Sequence, residues 1–529
     1  MLIAQIASLE RRRRGRDGRV GRRAGAGAHV RVGIAARGRS QSRTQADHHS
    51  GVAARHHLRR MFDRRTKIVA TLGPATDPLG VLDALVAAGI DCARLNCSHG
   101  TAEDLRRRSG EVRAAAAHAG RPVGLLFDLQ GPKLRLAAGM KARIVRAGEQ
   151  VVFSGAGDAA ADDHVVVDFP DFPRLVTERS EIVIGDGVPR LMVESSGPGE
   201  VVARALSSGE LASRKGISVT FAHPELPALT DKDNADLLLA AELGADFVAL
   251  SFVRSAADIE ELQARLAELG WRGRTIAKIE KVEAYEHLDE IIAVADGVMV
   301  ARGDYGVEAG VARVPLMQKD TIRRATQAGK TVITATQMLE SMIHTPEPTR
   351  AEASDVANAV IDGSSAVMLS AETSIGEFPV EAVRAMAQLA QAAEESPVIQ
   401  GRARAGEPDS PAGAVMYAAV ELAEALDAVA LIVPTTRGGS PRACAKYRRR
   451  RPIVALPVDD RVTNQLTLEW GVYPFTMAVT GSVDELIEAA LIKSKESAGL
   501  PSGARVVLTA GRRTGSSGAT NLITVREIP

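Results

Sequence analysis

A chain of 529 residues with 45% apolar content is longer than one simple domain requires, so two to four domains are expected, each with its own core. No run of about eighteen apolar residues is present to span a membrane, and three cysteines, Cys92, Cys97 and Cys444, supply neither a disulfide framework nor a zinc knuckle, which points to a reducing, cytoplasmic setting. The net charge of +1 hides two unlike parts: residues 1–60 carry fifteen Arg, no Lys and three acids, for +12, and the remaining 469 residues stand near −11.

Residues 11–60 are rich in Gly, Arg, Ala and His, lack aromatics and show no sustained period of 2 or 3.6, so they are expected to be disordered. Such a segment can serve as a basic arm for nucleic acid, a targeting peptide or an RNA-binding tail. A secretory signal is not supported, because no apolar core follows the arginines. The expectation adopted is that residues 1–60 lie outside the mature protein and are dispensable, since Met61 directly precedes FDRRTKIVATLGPAT, where regular structure begins.

From Lys67 onward short apolar runs recur: KIVATLG (67–73), DCARLN (91–96), VGLLFD (123–128), FVALSF (247–252), TIAKIE (275–280), GVMVAR (297–302), TVITAT (331–336) and AVMLSA (366–371). Runs apolar on both faces, separated by amphipathic stretches such as Pro78–Ala88 and Ser255–Leu269, predict parallel strands covered by helices. Eight such units fit a closed (β/α)₈ TIM barrel with its active site at the strand C-termini.

The spacing breaks after Asp128. RIVRAGEQVVFSG, HVVVDF, EIVIGDG and GEVVARAL predict a small β-rich module inserted at 137–221, placed to act as a lid over the mouth. After Ser396 a linker leads into a C-terminal α/β domain, with a helix over Ala412–Leu426, strands at 429–435, 452–457, 472–477 and 504–510, and a helix over Ser482–Ala498. The expected domains are therefore a basic extension (1–60), a barrel domain in two parts (61–136 and 222–395), the inserted lid (137–221) and the C-terminal domain (396–529).

The charges concentrate at the predicted strand ends. In TIAKIE a period of two puts Lys278 and Glu280 on one side, and the run Gly297–Ala301 leads into Arg302, Gly303 and Asp304. A charge left alone there costs several kcal/mol of desolvation (roughly), so partners are required. The second strand end carries Arg94, Asn96, Ser98 and His99, the third Asp128, Lys133 and Arg135, and the seventh Thr334, Thr336 and Gln337. Arg and Lys donors around two carboxylates suit a polyanion bridged by Mg²⁺ or Mn²⁺ rather than Zn²⁺. No GxxxxGK[ST] motif is present, so phosphate is not held in the P-loop manner.

In the order and spacing of TKIVATLGPAT, ARLNCSHG, TIAKIEKVEA, ARGDYGVE and TATQMLESMI, the chain from Thr66 to its C-terminus resembles the pyruvate kinase family. The resemblance implies a barrel domain, a β-rich lid after its third strand and a regulatory α/β domain, usually assembled as a homotetramer. The implied reaction transfers the phosphoryl group of phosphoenolpyruvate to ADP, giving pyruvate and ATP. By the same resemblance Lys278 neutralises the transferring phosphoryl group, Arg94 grips phosphate, and Glu280 and Asp304 ligate the divalent cation. Thr336 relays a proton to the enolate, and Ala301, Arg302, Gly303 and Asp304 offer backbone to the substrate carboxylate. His99, Arg135, Asp186 and Lys215 are implied for the nucleotide.

Asn96, Ser98 and Asp128 match K⁺-ligand positions of that family, but Leu129 stands where Thr is common and Lys133 where K⁺-dependent relatives carry Glu. A fixed ammonium can replace a mobile cation, so activity independent of K⁺ is expected. The loop VPTTRGGSPRACAKYRR fits the family's effector loop loosely, through Thr435, Thr436, Gly438 and Ser440, and implies a phosphorylated allosteric effector, with Arg448–Arg451 able to add charge. Two other functions remain open at this stage: a metal-dependent lyase or aldolase on a similar barrel, and an RNA-binding or scaffold protein using the Arg-rich arm. Neither a membrane nor a nucleic-acid partner is expected.

Overall fold

The structure, a computed structural model, describes Phe62 and residues 64–156, 164–185, 187–219, 227–396, 408, 410–478, 481–511 and 520–529. The Arg-rich segment 1–60 and Asp186 lie outside the described residues. Among the described residues the eight apolar runs all become strands: Lys67–Thr71, Cys92–Asn96, Gly124–Asp128, Phe247–Leu250, Arg274–Ile279, Gly297–Ala301, Thr331–Ala335 and Ala366–Leu369. They pair in parallel into a closed barrel, the first strand meeting both the second and the eighth.

Period two sorts the side chains of these strands into two cores. Ala277 and Ile279 face outward, into the layer shared with the helices, whereas Ile276 faces the lumen beside Val69, Cys92, Leu126, Phe247, Met299 and Ile333. The next inward position along each strand lies one layer nearer the C-terminal mouth. That layer contains Thr71, Arg94, Asp128, Ser251 and Lys278, so polar groups follow a floor of apolar ones. Thr334 is an exception to the expected grouping. Its neighbours Ile333 and Ala335 take the lumen, so Thr334 turns outward and its hydroxyl pairs with Ser364 Oγ at 2.7 Å, away from the mouth.

The helices begin where their caps dictate. Thr101, Thr230 and Thr349 each accept a backbone N–H of the first turn and are answered by an acid three residues on. Ser255–Leu269 is helical over Ala256–Glu268 with Ser255 as N-cap. The helix expected over Pro78–Ala88 runs only over Val81–Ala88, because Gly80, at φ 83°, places the chain in the left-handed region just before it.

Between the third and fourth barrel strands the chain builds a β module with a six-stranded and a two-stranded sheet. Its core gathers Phe153, Phe172, Ile182 and Leu191, and Leu134 and Leu136 already belong to it. Strands Arg190–Gly197, Gly209–Leu211 and Ile217–Val219 were not legible in the sequence. Two are only three residues long, and the third follows Pro189 and ends in Ser-Ser-Gly, which leaves little periodicity to read.

The C-terminal region forms a five-stranded sheet flanked by helices that include Pro411–Ala425 and Val483–Ala498. Its edge strand Thr520–Glu527, antiparallel to Arg505–Gly511, was also missed, since an exposed polar edge carries no burial pattern. This region closes the bottom of the barrel. Leu468 enters the luminal cluster, Thr331 Oγ1 donates to Glu469 at 3.1 Å, and Gln465 Nε2 donates to the Arg272 carbonyl at 2.9 Å. Burying one leucine there contributes on the order of 2 kcal/mol. No helix among the described residues is long and apolar enough to cross a membrane.

At this seam Lys67 is buried, its Nζ donating to the Val472 carbonyl at 2.7 Å and lying 4.5 Å from the Tyr473 ring centroid. Burial lowers its pKa from 10.5 to about 8, against the attraction of Asp91 and with added repulsion from Arg64 and Arg121. Below pH 8 the lysine is charged in both folded and unfolded chains, and the full cost of burying the charge is present; it fades as pH rises toward 10.5. Relative to Lys67→Met, the wild-type chain should therefore gain stability across that window, by on the order of 3 kcal/mol. Urea unfolding of both proteins at several pH values measures this, and a pH-independent difference would refute it.

Candidate active site

The polar layer at the mouth is one connected charge chain. Arg94 Nε meets Asp128 Oδ2 at 2.6 Å and Arg94 Nη1 donates to Thr71 Oγ1 at 2.9 Å. Asp128 Oδ1 lies 3.2 Å from Lys278 Nζ, and Lys278 Nζ lies 3.0 Å from Glu280 Oε1. Lys278 Nζ also donates to Ser251 Oγ at 2.6 Å, and the Phe252 amide donates to Glu280 Oε2 at 2.8 Å. Lys278 and Glu280 are 8% and 2% exposed, so each charge depends on the others.

The electrostatics follow from that burial. Burial alone would lower the Lys278 pKa, but Asp128 and Glu280 outweigh it and hold the ammonium above its ordinary value. Asp128 is held below the carboxylate range by Lys278 and Arg94 in spite of its burial. Glu280 stands above that range, first because of burial and then because Asp304 repels it, with Lys278 pulling the other way. Two carboxylates that repel one another across a cavity lined by both, by Lys133 and by Phe252 form an oxygen-only donor pair, each member with a lysine against it. A hard divalent cation fits that chemistry. Among the described residues no group of three or more His, Cys, Asp or Glu side chains is placed to hold a metal ion.

Asp304 sits in the first turn of helix Arg302–Ala309, which starts directly after the sixth strand, and its Oδ1 accepts from Lys133 Nζ at 2.8 Å. An added Cβ on Gly303 would meet nothing nearer than Thr336 Oγ1 at 3.9 Å. Thr336 has φ 66°, accepts the Gly303 N–H at 3.0 Å and donates to the Ala335 carbonyl at 2.6 Å. The Arg302 side chain does not join the mouth's donors. Its guanidinium bonds the carbonyls of Ala335, Thr336 and Gln337 and pairs with Asp355. Thr336 and Gln337 are both left-handed, and the planar fork matches the carbonyls this turn leaves free. Arg302 thus offers backbone alone to a ligand.

The remaining expected residues divide. His99 is exposed, yet the desolvation it does suffer and the nearby Arg135, Arg94 and Lys133 push it below its ordinary pKa, which places it near the same mouth. Arg135 donates to the Arg214 carbonyl at 3.2 Å, and Lys215 is turned to its own module, bonding the Glu210 carbonyl at 2.9 Å and carboxylate at 3.0 Å. Asn96 Oδ1 accepts the Ser98 amide at 3.1 Å. Lys133 pairs with Asp304 rather than with Asn96, Ser98 or Asp128.

In the C-terminal region Thr435 Oγ1 accepts the Gly438 amide at 2.9 Å and Ser440 Oγ lies 3.0 Å from Thr520 Oγ1; Thr436 borders this loop. The run Arg448–Arg451 cannot add charge there. It precedes strand Ile453–Pro457, whose start pairs with the start of Ala430–Thr435, so it lies at the opposite end of the sheet. There Arg448 stacks on Trp470 at 5.0 Å, Arg449 pairs with Glu421, and Arg451 with Glu424 and Asp427.

Sequence reasoning missed Thr71, Ser251 and Phe252. For Ser251 the signal was present: in FVALSF it falls two residues after Ala249 and so faces the lumen. Phe252 holds Glu280 from a left-handed backbone (φ 57°), which no residue pattern announces.

The fold and site define a phosphoryl-transfer or enolate-stabilising enzyme on a lidded (β/α)₈ barrel. The chain matches the family model for the pyruvate kinase barrel domain over residues 63–383 and that for the pyruvate kinase alpha/beta domain over residues 413–526. It is 40% identical over 473 residues to the pyruvate kinase of Geobacillus stearothermophilus, covering 88% of this chain and 80% of that one. Over 466 residues it is 41% identical to the pyruvate kinase of Mycobacterium tuberculosis, covering 88% and 98%. The crystal structure of a pyruvate kinase from Cryptosporidium parvum superposes with a TM-score of 0.82 at 32% identity, covering 89% of this chain and 97% of that one. The chain belongs to the pyruvate kinase family. It is a phosphotransferase, acting between phosphoenolpyruvate and ADP to give pyruvate and ATP.

Ser251 holds the Lys278 ammonium, and a hydrogen bond to a charged group contributes roughly 1.5–3 kcal/mol. Ser251→Ala is expected to lower kcat about tenfold or more with a smaller change in KM. Steady-state kinetics test this, and an unchanged kcat would show that the two carboxylates suffice to position the lysine.

Proposed function

We propose that the charge chain at the mouth carries the phosphoryl transfer, with Lys278 and Arg94 as the groups that meet the phosphate. As the bridging C–O–P bond breaks and the β-phosphate oxygen of ADP attacks phosphorus, negative charge builds on the equatorial oxygens. A preorganised ammonium and guanidinium stabilise that charge more than they stabilise the ground state. The carrying observation is that Lys278, buried, is held from three sides by Asp128, Glu280 and Ser251 and stays charged.

Glu280 and Asp304 would hold Mg²⁺ or Mn²⁺. When bound, that ion supplies Lewis-acid stabilisation of the substrate's carboxylate and enolate oxygens. The backbone from Ala301 to Asp304 opens a helix beside them, and Gly303 leaves room for the substrate carboxylate. The enolate left by the transfer takes a proton at its methylene carbon. Thr336, a poor acid alone, is assigned to relay that proton from water rather than to supply it. His99, Arg135, Asp186 and Lys215 are assigned to ADP, with the β module closing to keep water from the phosphoryl group.

Replacing Lys278 by Met is expected to lower kcat by at least about 10³-fold, comparable to losing a principal electrostatic contact of the transition state. A lactate-dehydrogenase-coupled assay reads this, and retained turnover would remove Lys278 from the mechanism.

The K⁺ positions Asn96, Ser98 and Asp128 are proposed to need no ion. Asp128 is already paired with two fixed cations, and Lys133 brings a third positive charge to the same mouth. Activity in tetramethylammonium buffer should change less than about twofold when KCl is added at constant ionic strength; a many-fold rise would overturn this. The remaining assignments are a cytoplasmic homotetramer and a phosphorylated effector at Thr435, Thr436, Gly438 and Ser440, supported by family membership and by the loop's polar geometry.

A further inference from the structure

Lys133 stands where the chain leaves the barrel and enters the β module, one residue before Leu134 of that module's core. Its ammonium is 2.8 Å from Asp304 Oδ1 and 5.6 Å from the Phe252 ring centroid, and it lines the same cavity as Glu280 and Asp304. Module backbone just before strand Ile217–Val219 lies over its stem, since a Cβ on Gly216 would sit 3.0 Å from Lys133 Cε. A second tie reaches the same helix: Arg190 of the module donates through Nη2 to the Val307 carbonyl at 3.1 Å. Among the described residues these are two polar ties to the helix that carries Asp304, one of them at Asp304 itself, beside its packing against strand Ile217–Val219.

We propose that Lys133 is a built-in counter-ion of Asp304, occupying that carboxylate until a divalent cation displaces it, so that arrival of the cation releases the root of the β module from helix Arg302–Ala309. The proposal rests on Asp304 being a ligand of that cation. The ammonium neutralises Asp304 and relieves its repulsion of Glu280 while no metal is bound. A dication on the same carboxylate has twice the charge and repels the ammonium at close range. An ion pair whose partners are 28% and 32% exposed is too weak to resist that exchange. Once displaced, Lys133 no longer ties Asp304 to the module, and the module's root is freer to move.

Mn²⁺ is the probe, titrated into the substrate-free full-length protein and followed by the electron paramagnetic resonance of the free ion. Lys133→Gln, which removes the competing charge, is expected to bind Mn²⁺ about tenfold more tightly than wild type. Lys133→Arg, which keeps the charge, should bind like wild type. Mn²⁺ should also speed amide hydrogen exchange at 133–136 and 214–219 in wild type and have little effect in Lys133→Gln, where the tie is already gone. Equal Mn²⁺ affinity in wild type and Lys133→Gln, with binding lost in Asp304→Asn, would overturn the counter-ion role and leave the metal assignment standing. Undiminished binding in Asp304→Asn would overturn both. Unchanged exchange at 133–136 in wild type would overturn the coupling to the module.

Discussion

A single buried run of alternating charge, Arg94 to Asp128 to Lys278 to Glu280, is the constraint on which the rest of the structure depends. Four ionised groups at the end of an apolar lumen are tolerated because each has an opposite partner within 3.2 Å and a hydroxyl or amide partner besides. Removing one member strands its neighbours, so the chain is fixed as a unit. The barrel supplies what such a chain needs. Neighbouring strands place inward residues at one height, and the helical layer outside keeps those positions still.

The two ends of the barrel are treated differently for a physical reason. At the bottom, Leu468 and the segment following it fill the lumen and satisfy Thr331 and Lys67. That seam joins the C-terminal region to the strand starts, with the polar loop Thr435–Ser440 at the far end of its sheet. At the top, the layer is polar, built of Thr71, Arg94, Asp128, Ser251 and Lys278. The cavity there is walled by the inserted module, through Leu134, Ile217, Ser218 and Val219, on one side and by helix Arg302–Ala309, through Asp304 and Glu308, on the other, with Lys133 between them. A filled bottom gives stability, and a polar, cleft-like top gives a place for chemistry.

Arginine serves two unlike purposes in this chain. Arg94 keeps part of its fork near the mouth while Asp128 holds its Nε. Arg302, only one residue past the end of its strand, spends its donors on three carbonyls and Asp355. The same residue type is a member of the buried charge chain in one case and the pin of a left-handed turn in the other. Which it becomes depends on which unsatisfied acceptors lie within reach.

The sequence alone determined the barrel, its eight strands and their order, because residues apolar on both faces and spaced by amphipathic helices have few other ways to bury themselves. It also determined that Lys278 and Glu280 share a face, since period two admits no alternative, and Ser251 was readable by the same rule. Only the tertiary structure decided which partners those charges take. That Lys278 leans on Ser251 and Asp128, that Phe252 holds Glu280 from a left-handed backbone, that Lys133 reaches Asp304 and that Leu468 closes the lumen all join residues far apart in the chain. Periodicity reports which way a side chain points relative to its own strand. It carries no information about what another segment brings to meet it.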